Sequence, residues 1–165
     1  MGVYCYGVKP KWDISDCVME IDFPIFLKYR DMSLEEKSEH PDWKKEGMTF
    51  YEQHGSMEDL NVGFTFLCNW WGWRPLWKYI CEQCKDVLTW EDECEGGWNN
   101  GHLIDEKKCE LISKILTELI ESGHTKSYET NVFPSLPEAE NYFFGEEIVI
   151  RFRDFVGKCG GFEIC

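Results

Sequence analysis

A chain of 165 residues with 43% hydrophobic and 16% aromatic content is long enough and apolar enough for one folded domain spanning 1–165. Its net charge of −14, from 17 basic and 31 acidic residues, excludes a general nucleic-acid-binding surface and an anionic membrane as partners. The same charge suits a cytoplasmic protein kept soluble by its surface, or one steered toward a basic partner.

Residues 3–8 (Val-Tyr-Cys-Tyr-Gly-Val) have strand composition, and 21–27 form a second apolar segment broken by Pro24. Ser33-Leu-Glu-Glu36 is a capping-box pattern and predicts a short helix that ends before Pro41. Polar residues with Gly47, Gly55 and Gly63 predict a loop-rich stretch over 42–64. Pro75 suits a first helical position, so a helix is predicted from there through Leu76, Trp77, Ile80, Cys84, Val87 and Leu88. Residues 91–97 predict an acidic, glycine-terminated loop, and 98–102 a turn. Asp105 reads as the N-cap of a helix with Cys109, Ile112, Ile115, Leu116, Leu119 and Ile120 on one stripe, closed by Gly123. A connector with two prolines over 131–138 leads to a last helix over 146–158. That helix is expected to bury Ile148, Phe152, Phe155, Val156 and Cys159; Gly160-Gly161 ends it, and 162–165 return as a strand. The sum is a mainly helical α+β single domain with a small, short-stranded β element.

The densest chemistry lies in Asn69-Trp70-Trp71-Gly72-Trp73-Arg74-Pro75-Leu76-Trp77, which holds four of the eight tryptophans. With Pro75 opening a helix, residues 69–74 become the loop that leads into it, beside free amide donors and the positive end of the dipole. Arg74 there suits a phosphate or carboxylate, and the indoles suit a flat ring. The plainer alternative is that the tryptophans wedge the loop into the core and Arg74 pairs with an acid. Asn99, Asn100 and His102, just before the Asp105 helix, form either a structural turn or the polar rim of an anion site.

Other constellations carry less. The nine cysteines read as reduced, mostly buried thiols. Cys81-x-x-Cys84 with Cys94 and His102 could supply four zinc ligands, but the first pair falls inside a predicted helix rather than a tight turn. Glu91, Asp92, Glu93 and Glu95 do not follow an EF-hand spacing and read as a solvated acidic loop. No zincin, nucleophile-elbow, phosphate-loop or dinucleotide pattern occurs. Arg151 and Arg153, two apart on one helix, diverge.

Trp73-Arg74-Pro75-Leu76-Trp77 with Asn69, Asn100-Gly101 ahead of a long helix, and the terminal Cys159-Gly-Gly-Phe-Glu-Ile-Cys165 together resemble a family of small bacterial and phage proteins. The resemblance implies no activity; its phage members suggest counter-defence, such as sequestering a nucleotide immune signal. The expectation is a non-catalytic protein, without cofactor or bound metal, that holds a small nucleotide-like ligand. Its site residues would be Asn69, Trp70, Trp73, Arg74, Trp77, Asn100 and His102. One alternative is an acidic interaction module, such as an immunity protein, inhibitor or nucleic-acid mimic, that takes a basic protein. Another is a metal-assisted hydrolase using His102 and Asp105. Exposed aromatics equally suit a homo-oligomer face.

Overall fold

The computed structural model describes residues 2–11, 24–29, 31–60 and 62–165, and for 54–60 it describes the backbone only. It forms two compact units, one of Met1–Lys11 with Val62–Cys165 and one of Trp12–Asn61. The whole is mainly helical with one small antiparallel sheet, as the α+β pattern implies. Among the described residues no helix is long and apolar enough to cross a membrane.

The smaller unit holds α1 (Pro24–Tyr29), α2 (Leu34–Glu39) and α3 (Trp43–Leu60). Pro24 opens α1; the rest of the predicted apolar segment, 21–23, lies outside the described residues. Ser33 and Glu36 close both bonds of the predicted capping box on α2. The predicted loop over 42–64 is instead the 18-residue helix α3. Glycine costs a helix only about 1 kcal/mol against alanine, and burial outweighs it here. The ring of Trp43 lies over Gly47, and Phe50 is buried with Phe26 and Tyr29. The Tyr29 hydroxyl donates to Glu46 at 2.7 Å, and Lys28 pairs with the same carboxylate.

The larger unit carries the sheet, in the order β2 (Thr65–Asn69), β1 (Gly2–Gly7), β4 (Phe162–Ile164), β3 (His102–Ile104). Alternation puts Val3, Cys5, Phe66, Cys68, Ile104, Phe162 and Ile164 on the buried face and Tyr4, Tyr6, Leu67 and Leu103 on the open one. Helices α4 (Trp70–Gln83), α6 (Glu106–Glu121) and α8 (Glu146–Val156) supply the opposing apolar stripes. Asp105 caps α6 as expected, its side chain accepting from the Lys108 amide. Cys109, Ile112 and Leu116 are its buried residues. On α8 the buried stripe is Val149, Phe152, Phe155 and Val156, and Ile148 is only partly covered. A short helix α7 (His124–Ser127) and a π turn (Tyr128–Val132) lead into the connector predicted over 131–138, which consists mostly of two 3₁₀ turns, Phe133–Ser135 and Pro137–Glu140. Gly160 and Gly161 take φ of 61° and 94°, left-handed conformations that let the chain turn back into β4.

Two sequence expectations fail near the tryptophan segment. Helix α4 begins at Trp70, not Pro75. Asn69 is its N-cap, with Oδ1 accepting from the Gly72 amide at 2.9 Å. Pro75 therefore lies inside the helix, where its missing N–H leaves the Trp71 carbonyl without the usual partner. The Phe143 amide approaches that carbonyl instead, at 3.4 Å. The acidic loop predicted at 91–97 is in fact largely a short helix, α5 (Trp90–Glu95), started by a reciprocal Thr89–Asp92 capping box.

Candidate functional site

Because α4 starts five residues early, its phase sorts the tryptophans. Residues four apart share a face, so Trp73 and Trp77 point one way and Trp70, Arg74 and Lys78 another. Trp73 is fully buried and Trp77 is 3% exposed. Their rings stack with centroids 5.4 Å apart. Each indole N–H is satisfied by a carbonyl of the α5 segment: Trp73 donates to Gly96 at 3.1 Å and Trp77 to Glu93 at 3.2 Å. Trp73 thus packs the core, and Trp77 shows only an edge to the surface.

The outward face gathers around Arg74. Its guanidinium carbon lies 4.7 Å from the centroid of the Trp70 ring and 5.9 Å from that of Trp98. One guanidinium nitrogen donates to the Tyr142 hydroxyl at 3.3 Å. Tyr142 also meets the ring of Trp71 at 5.9 Å. A hollow of about 330 Å³ opens on the Trp98 side of Arg74, walled by Trp77, Lys78, Cys81, Glu93 and Gly97. A smaller one of about 120 Å³ opens on the Tyr142 side, with Pro75, Lys78 and Glu138. Lys78 belongs to both and pairs with Glu138. Burial pushes the Cys81 thiol well above its ordinary range, helped by Glu93, so the sulfur stays protonated and acts as a small apolar wall.

The other expected site residues lie elsewhere. Asn69, spent on its cap, lines a separate hollow beside β2. Asn100 turns the chain: its carbonyl oxygen accepts from the His102 amide at 3.2 Å, and its amide donates to Glu95. His102 Nε2 lies 3.0 Å from Asp92 Oδ1, and Lys108 Nζ lies 2.7 Å from Oδ2. Neither Asn100 nor His102 lines the hollows at Arg74. Asp92 is the buried hub that ties α5 to β3 and α6. Burial pushes its carboxyl up, but hydrogen bonds from Lys108, the Thr89 amide, His102 and the Thr89 hydroxyl outweigh that and hold it down at about 2.

Sequence reasoning missed Asp92, whose signal was Thr89 three residues earlier. It also left Lys78, Trp98 and Tyr142 out of the Arg74 site. Among the described residues no group of three or more His, Cys, Asp or Glu is placed to hold a metal ion. Cys81, Cys84, Cys94 and His102 are thus not gathered into a zinc-type set. The eight described cysteines are free thiols. Arg151 and Arg153 do diverge, one reaching the Leu67 carbonyl and the other Asp154.

No family model, curated protein or solved structure matches the chain, so the site is read from its own geometry.

Proposed function

We propose that the protein binds a small, planar, anionic ligand of nucleotide type at Arg74. The observation that carries this reading is the guanidinium set between the Trp70 and Trp98 rings, at the mouth of a hollow that a second cation, Lys78, also lines. Trp98 is 58% exposed, so a ring face remains open to a flat partner. A base stacked on such a ring gains about 1–3 kcal/mol. Arg74 brings a planar fork of donors suited to a phosphate. Lys78 is held by Glu138 and exchanges that carboxylate for the ligand's anionic group. The chain's overall charge opposes an anion only at long range, because screening confines it to about 8–10 Å.

Binding rather than chemistry fits the lining: Cys81 is held as a thiol, and Lys78 is ion-paired. Sequestration of a nucleotide signal is the role this suits. Titration calorimetry against mono-, di- and cyclic nucleotides tests the reading. Saturable binding is expected, weakened about tenfold or more by Arg74→Ala and by Trp98→Ala. Failure of the wild-type protein to bind any of them overturns the reading.

A further inference from the structure

The sheet has an open edge, remote in chemistry from the Arg74 hollows. Tyr4 exchanges both backbone hydrogen bonds with Cys165, at 2.8 and 2.7 Å. Tyr4 therefore faces β4, and its neighbours Val3 and Cys5 face β2, opposite Cys68 and Phe66. By alternation, Thr65 and Leu67 direct their backbone N–H and C=O away from the sheet. Among the described residues no strand pairs with that side of β2. Arg151 Nη2 reaches the Leu67 carbonyl at 3.4 Å, at the long limit of a hydrogen bond.

Edge strands are usually blunted by a lysine, a proline or a bulge. The β2 sequence, Thr-Phe-Leu-Cys-Asn, has no lysine or proline, and all five of its residues pair with β1 in continuous register without a bulge. A hollow of about 440 Å³ lies along this edge, between β2 and the start of α8. Leu67, Phe143 and Ile148 give it apolar walls, and Glu147 and Arg151, one helical turn apart, give it one acid and one base.

The geometry points to a docking site for the C-terminal segment of a partner protein, added to β2 as a fifth strand. The partner's penultimate residue lies opposite Leu67 and exchanges backbone bonds with it. The residue before it, opposite Cys68, turns its apolar side chain to the helix-covered face and fills the hollow against Phe143 and Ile148. The terminal carboxylate, on the last residue opposite Phe66, takes the Arg151 guanidinium that lies over the Phe66 ring, which leaves the Leu67 carbonyl to the incoming strand. Glu147 then matches a lysine or arginine upstream in the partner, and the chain's charge of −14 steers such a basic tail inward. Main-chain bonds supply affinity in this mode, and the pocket and charges supply selectivity.

The test uses N-terminally fluoresceinated octapeptide pools, degenerate but with Leu, Val or Phe third from the end and lysine-rich positions upstream of it, as free acids and as amides. Fluorescence anisotropy with the full chain should show saturable binding of the acid pool. Amidation, and separately Arg151→Gln, should each weaken it about tenfold or more, whereas Arg74→Ala leaves it unchanged. Hydrogen exchange on the wild-type protein reads the backbone part without a variant: the Leu67 amide should slow on addition of the acid pool. Absence of binding up to about 1 mM, equal binding of the amide pool, or an unprotected Leu67 amide each overturns the proposal.

Discussion

The two faces of α4 use the same residue type for opposite ends. On the inner face, Trp73 and Trp77 stack on each other, and each N–H is met by a carbonyl of α5 or the glycine after it. On the outer face, Trp70 and Trp98 hold a guanidinium between rings that stay partly in water. What separates the faces is helical phase rather than composition. A buried indole must find an acceptor as well as neighbours, and α5 supplies two at the right spacing. The outer indoles have an ion and solvent. The inner pair should therefore govern stability and the outer pair should govern recognition, which gives the comparison its tests.

The largest effect is expected from Trp73→Ala. Removing a fully buried indole leaves a cavity and an unmet Gly96 carbonyl, at a cost of about 3–5 kcal/mol. Urea or guanidinium unfolding reads this directly. A loss under about 1 kcal/mol would mean that the site collapses freely and that Trp73 does not anchor the core.

Next comes Asp92, which fixes α5 and so fixes the acceptors used by the inner pair. Asp92→Asn leaves Lys108 and His102 without their carboxylate. The cost should be about 2–3 kcal/mol, below the usual range for a broken buried pair because both partners remain partly solvated. The wild type also carries a pH signature. The carboxyl titrates near 3.9 when unfolded and at about 2 when folded. Its folded value is depressed, so its stabilisation is complete above about pH 5 and fades as pH falls toward 2, by about 2 kcal/mol. Unfolding free energies measured between pH 6 and pH 2.5 should show a steeper acid limb for the wild type than for Asp92→Asn. Parallel limbs would remove Asp92 from the set of groups linked to folding.

Which parts of this were legible in the sequence follows from the range of the forces involved. The Asp105 helix and the capping box at Ser33 were readable because caps and stripes are local, and the structure places both. Helix α3 was hidden because two glycines outvoted its apolar positions, and burial of Phe50 is a tertiary effect. Pro75 misled because proline favours a first helical turn but does not demand one. Asn69, a better cap, stood six residues ahead, and the freed Trp71 carbonyl found Phe143 from far along the chain. Arg74 was legible as a candidate. Its cage was not, since Trp98 and Tyr142 come to it across 24 and 68 residues. The acids at 91–95 read as one solvated run because charge alone does not tell Asp92 from its neighbours; the partners at 102 and 108 do.

A smaller perturbation probes the contact between the two faces. A Cβ on Gly96 would stand 2.2 Å from Trp77 Cζ2 and 2.7 Å from the Asp92 carbonyl. The rigid indole and the backbone must both shift, so Gly96→Ala should cost about 1–3 kcal/mol through overpacking. Trp77 also walls the larger hollow, so the same variant should weaken ligand binding at Arg74. A variant that loses stability with ligand affinity intact would show that the inner pair and the site are uncoupled.

The smallest stability effect, and the most discriminating, belongs to Arg74→Ala. The side chain is exposed; its contacts are two partly solvated rings and one phenol. Exposed cation–π contacts contribute about 0.5–1 kcal/mol, so unfolding should shift by no more than about 1 kcal/mol. Nucleotide affinity, by contrast, should fall about tenfold or more, because the guanidinium is the group placed to meet the anion. Trp73→Ala reverses that ranking, with stability falling first and binding falling only as the fold loosens. Measured side by side, the two variants separate support from recognition within one turn of α4. An Arg74→Ala protein that unfolds as readily as Trp73→Ala would make the arginine part of the scaffold and return the segment to the core.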